Sequence, residues 1–165
     1  MEGSDQIKLL SKEGKEFTVS KKASELSGLL KSTIGDLGEG ESVPLMEVDE
    51  KSLEKIIVYL NKWNGESPPE IEKPLKSSFL KEVTDEWSAD FIDDVDLELL
   101  TNMTVSANFM EIVPLLDLTC AKLASMCKDK SEEEIFKQFG ITETFSEEER
   151  QKIREENKWI EENLS

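Results

Sequence analysis

Histidine is absent from all 165 residues of the chain. That removes the side chain most used as a general base near neutral pH and as a metal ligand. Cysteine is scarce, with only Cys120 and Cys127. Seven residues apart in what reads as one helix, they stand about 10 Å apart, too far for a disulfide. Two such ligands without histidine do not build a zinc site. They are expected to be small, buried, apolar thiols in a reducing compartment. Neither G-x-x-x-x-G-K-[ST] nor G-x-G-x-x-G occurs, so no phosphate-cradling loop is expected. A D-x-[DN]-x-[DN]-G calcium loop is missing too. No apolar run approaches the ~20 residues that span a bilayer. The start, MEGSDQIKLL, has no basic region followed by an apolar stretch, so no secretory leader is expected. Positive charge is also short, with 20 basic residues against 37 acidic ones and a net charge of −17. Nucleic acid is bound by replacing counterions with Lys and Arg, and this chain repels both it and an anionic membrane surface. The expectation is a protein with no catalytic site, metal or cofactor, and no nucleic-acid or membrane partner.

Hydrophobic residues make up 37% of the chain, enough for a core, and charged residues 35%. The charged share exceeds the usual quarter, so part of the chain is expected to be a solvated, weakly packed region. Ile7 to Leu10 and Glu16 to Val19 alternate around Gly14, which predicts a β-hairpin. Ser20 is placed to cap a helix over 21–30. Gly35, Gly38 and Gly40 mark an acidic loop. Val43 and Leu45 predict a short strand, which Pro44 confines to an edge or a parallel start. From Asp49 the period becomes helical through Leu53, Ile56, Ile57 and Leu60, and ends at Asn64 and Gly65. Residues 64–80 hold three prolines and alternating charge, and read as an exposed, flexible linker. Trp87 and Phe91 are expected where the chain re-enters the core. Leu97, Leu100, Met103 and Ala107 form one helical stripe, and Leu116, Cys120, Leu123 and Cys127 another. Pro114 suits a helical first turn. Ser131 with Glu134, and Ser146 with Glu149, are capping boxes. The carboxylate runs behind them fit the positive end of a helix rather than a metal site. The fold class is α+β with a helical extension.

The ending REENKWIEENLS sets Trp159 and Ile160 side by side in an acidic tail. Terminal segments fray unless tied down. Trp159 lies about 120° around the helix from Ile153, which shares a stripe with Asn157, Ile160 and Leu164, so one narrow seam cannot bury both. Either Trp159 folds back on its own domain, or it waits for a partner on a floor of Leu116, Cys120, Leu123, Phe139, Ile141 and Phe145. Trp is enriched among interface anchors.

The run from LLDLTC through KSEEEIF, FGI and FSEEER to REENKWIEE is similar to the C-terminal signature of the Skp (S-phase kinase-associated) adaptor family of SCF ubiquitin ligases. SANFMEI, DLG and VPL match its upstream half. The resemblance implies a BTB/POZ-like domain over 1–127, with a flexible linker at about 64–80, and a helical F-box-binding extension over 128–165. It implies a non-catalytic adaptor, cytoplasmic and nuclear, that bridges F-box proteins to a cullin. Leu116, Cys120, Phe139, Ile141, Asn157, Trp159 and Ile160 would then face the F-box. Asn108 and Phe109 would face the cullin, with Phe109 standing where the family has tyrosine. Two other readings remain: a BTB-type scaffold that self-associates through the same apolar surface, and an F-box binder that has lost the cullin.

Overall fold

The computed structural model describes residues 6–36, 38, 41–142 and 145–163, with only the backbone of 159–163. The chain divides into two compact units, Met1–Asp129 and Lys130–Ser165.

In the first unit, β1 (Gln6–Leu10) and β2 (Glu16–Ser20) form the expected antiparallel hairpin, with Ile7 opposite Val19 and Leu9 opposite Phe17. Alternation sends Ile7, Leu9 and Val19 inward, where all three are buried. Gly14 supplies the positive φ of the turn. β3 (Ser42–Pro44) joins the other side of β1 in parallel, so the sheet order is β2-β1-β3. Pro44 therefore sits on an edge strand, where its missing N–H leaves no ladder bond unmade.

The helix expected over 21–30 is broken in two. Ser20 does cap α1 (Lys21–Ser24), but that helix stops after one turn, and α2 (Gly28–Ile34) opens from a second cap at Ser27. The cause is tertiary. The Ser27 hydroxyl donates to the Met110 carbonyl, and the Gly28 N–H donates to the Glu111 carbonyl at 3.2 Å. A Cβ on Gly28 would meet the Glu111 Cβ at 3.0 Å, a tight contact that favours glycine at this close approach. Of the expected acidic loop, residues 37, 39 and 40 lie outside the described residues.

Helix α3 (Glu50–Trp63) runs as expected from the Asp49 cap to Asn64, which takes a left-handed conformation at φ 46°. Burial works against the Asp49 carboxylate, but hydrogen bonds from Ser52 outweigh it and hold its pKa below the ordinary range. The helix buries Leu53, Ile56, Tyr59 and Leu60. Residues 64–79 have no regular structure, and a 3-10 turn follows at Leu80–Glu82. The expectation of an exposed linker needs correction here. Ile71 and Leu80 are buried and Leu75 packs against the core, so the segment is a strap stitched down at intervals.

Helices α4 (Glu86–Asp93), α5 (Leu97–Phe109) and α6 (Val113–Cys127) complete the unit. Trp87 and Phe91 stack with ring centroids 5.0 Å apart. Tyr59 and Trp63 join them, with Trp63 edge-on to Trp87 at 6.3 Å. Such clusters add about 0.5–1.5 kcal/mol per pair beyond their area. On α5 the expected stripe is confirmed at Leu100, Met103 and Ala107, all buried, while Leu97 is half-buried.

The second unit holds α7 (Glu132–Phe139) and α8 (Glu147–Asn163). Among its described residues no side chain is buried.

Candidate protein-interaction site

Among the described residues no group of three or more Cys, Asp or Glu side chains is arranged to hold a metal ion. No described helix is long and apolar enough to cross a membrane.

Helix α6 has apolar residues all round, so its two faces are told apart by packing rather than by period. Leu115, Leu118 and Ala121 face the core and are buried. Lys122 flanks them and reaches Asp93 at 2.6 Å. At 100° per residue, Val113, Asp117, Cys120 and Ala124 form the outward line, with Leu116, Leu123 and Cys127 along its margins. Val113 is 63% exposed, Cys120 is exposed, and Leu116, Leu123 and Cys127 are half-buried. The expected buried thiols are thus corrected. Both cysteines are free and lie on the outward side, because Leu115 and Leu118 take the core positions.

The outward line carries one charge, Asp117, and that charge is matched. Lys73, from the strap, donates to Asp117 Oδ1 at 2.7 Å. The bond and the carboxylate charge raise the Lys73 pKa, and the nearby Cys120 adds to the effect.

At the end of α5, Asn108 and Phe109 are exposed, and Val105, one turn earlier, is 59% exposed. Val105 and Phe109 stand four apart and form an apolar pair on the helix surface. The family resemblance named Asn108 and Phe109, whereas Val105 and Val113, also exposed, were not named. The available signal was a second apolar spacing, opposite the core stripe.

In the second unit, each helix is opened by its capping box. The Ser131 N–H donates to Glu134 Oε2 at 2.8 Å, and the Glu134 N–H donates back to Ser131 Oγ at 3.3 Å. Ser146 and Glu149 repeat the pattern at the same two distances. These backbone bonds, with smaller help from the serine hydroxyls, lower the pKa of Glu134 and of Glu149. Gly140 ends α7 with φ 65°, and the Ile141 N–H donates to the Phe136 carbonyl at 2.9 Å, a helix-ending bond. Arg150 ties the unit together, since its Nη1 meets Glu132 at 3.1 Å and its Nε donates to the Phe145 carbonyl at 3.1 Å. Phe139 is half-buried, whereas Ile141, Phe145 and Ile153 are 45%, 53% and 39% exposed. Asn157 is exposed, and its amide donates to the Ile153 carbonyl. Trp159 and Ile160 belong to α8 by their backbone, and their side chains lie outside the described residues.

Two family models match the chain. Residues 5–65 match the POZ model of the Skp1 family, described as its tetramerisation domain, and residues 113–160 match that family's dimerisation domain. A relative from Tetrahymena thermophila, named S-phase kinase-associated protein 1 homolog, is 44% identical over 163 residues, covering 99% of this chain and 98% of its own. Proteins named E3 ubiquitin ligase complex SCF subunit sconC are also similar. The one from Arthroderma benhamiae is 38% identical, covering 96% of both chains, and that from Aspergillus clavatus is 38% identical, covering 96% of this chain and 99% of its own. The POZ match coincides with the three-stranded sheet and α1–α3, in keeping with the expected α+β BTB/POZ-like architecture and its helical C-terminal part.

Proposed function

The chain belongs to the Skp1 family, and from that membership we propose that it is a non-catalytic adaptor of an SCF-type cullin-RING ubiquitin ligase. It binds F-box substrate receptors through Leu116, Cys120, Leu123, Phe139, Ile141, Phe145, Asn157, Trp159 and Ile160. It meets a cullin through the end of α5, with Asn108 and Phe109 joined by Val105.

One observation carries the reading. The stretch matched to the family's dimerisation domain leaves Val113, Ile141, Phe145 and Ile153 open to solvent. Exposed large apolar side chains are the kind of surface on which another protein can dock. The net charge of −17 favours solubility of the unbound chain.

Calorimetric titration of the chain with an F-box domain tests the proposal. The wild type is expected to form a 1:1 complex, and Trp159→Ala is expected to weaken it by at least about 2 kcal/mol, the scale of an interface hot spot. Unchanged affinity would remove Trp159 as the anchor. No complex with any F-box domain would remove the adaptor role.

A further inference from the structure

Helix α6 carries only two charges, Asp117 and Lys122. Lys122 belongs to the inward side, where it pairs with Asp93. Asp117 is thus the sole charge on the outward face of Val113, Leu116, Cys120, Leu123 and Ala124. Covering that face with an apolar partner takes the Asp117 carboxylate out of water. Burying an unpaired carboxylate is costly, and burying a paired one is far less so.

The pairing is already made within the chain. Lys73 sits 2.7 Å from Asp117, although the two are 44 residues apart in sequence. Its side chain is exposed, but its backbone is anchored. Ile71, two residues before it, is buried, and Leu75, two residues after it, packs against the core. The strap backbone is therefore pinned on both sides of Lys73.

We propose that Lys73 is part of the docking surface: the strap holds its ammonium on Asp117 so that an F-box partner can lay an uncharged, apolar patch over α6 without stranding a carboxylate. This rests on the adaptor reading above. It also specifies the partner's chemistry there, since a cation opposite Asp117 would find its counter-ion taken. In the free protein the pair adds little to stability, because the side chains of Lys73 and Asp117 are 69% and 29% exposed and water screens them. Its effect grows when the partner excludes water.

Titrating an F-box domain with the full-length wild type, Lys73→Ala, Asp117→Asn and the double variant tests this. Lys73→Ala is expected to weaken binding about tenfold. Adding Asp117→Asn should restore affinity to within about threefold of wild type, because no charge is then left to strand. Melting temperatures should match throughout, which separates the effect from misfolding. Wild-type affinity in Lys73→Ala, or a double variant as weak as the single one, overturns the inference and leaves the adaptor reading standing. A wild type that binds no F-box domain overturns both.

Discussion

The two units are built on opposite principles. Every buried apolar side chain described lies between Ile7 and Ala121, in the first unit. The second has helices of 8 and 17 residues and no buried side chain among those described. One is held by what it hides. The other is held by what it satisfies locally: two capping boxes, the Arg150 link to Glu132, and the amide of Asn157 turned back onto its own helix. Helical stability in proteins comes mostly from packing an apolar face. Among its described residues the second unit buries no side chain, so its helices rest on these local bonds.

Core truncation breaks this contrast most sharply. Leu60, fully buried on α3, is expected to cost about 2–5 kcal/mol when cut to alanine, read as a lower urea midpoint of the whole chain. Phe136→Ala, a larger deletion in half-buried α7, should cost below about 1 kcal/mol in the same assay. Equal losses would mean that the two units share a core.

Removing a cap probes the other side. Ser131→Ala takes away the acceptor for the Glu134 N–H, and Ser146→Ala does the same for Glu149. Each is expected to cost about 1 kcal/mol of local helix stability, seen as faster amide exchange in α7 or α8 with α3 and α5 unchanged.

Acidity gives the finest resolution. The pKa values of Glu134 and Glu149 lie below their ordinary 4.5 in the folded chain. A depressed folded pKa means the stabilisation is fully present above the unfolded value and disappears as pH falls through the folded one. Asp49 and Asp85 are depressed too, each by bonds from a serine that outweigh burial. Their helices, however, keep buried faces once the caps are protonated. On acidification below 4.5, amide protection should therefore be lost in α7 and α8 before α3 and α4. Loss in the reverse order would overturn the comparison.

What was legible in the sequence is what is decided locally. The β1–β2 hairpin, the Asp49-capped helix ending at Asn64, Pro44 on an edge and both serine capping boxes depend on neighbours a few residues away. The misreadings came from contacts made across the chain. Nothing between Lys21 and Leu30 announces that Ser27 and Gly28 dock on residues 110–111. In α6 the period was visible but its phase was not, because Leu115 and Leu118 compete with Leu116, Cys120 and Leu123 for the core. The prolines of the strap hid Ile71, whose burial depends on the rest of the core. Of the candidate site, the exposed Asn108, Phe109, Ile141, Phe145 and Asn157 were named from sequence, while Val105, Val113 and the Lys73–Asp117 pair were not.

The aromatic cluster has an optical consequence. Of the three indoles in the chain, Trp63 and Trp87 meet edge-on in the first unit, and Tyr59 and Phe91 surround them. Rings so close couple their transitions, so this quartet lends the folded chain a near-ultraviolet signature tied to one place. Trp159 belongs to the other unit. With Trp63 and Trp87 replaced by phenylalanine, the remaining emission becomes a lamp at the carboxyl end whose colour records whether that end is wet or covered.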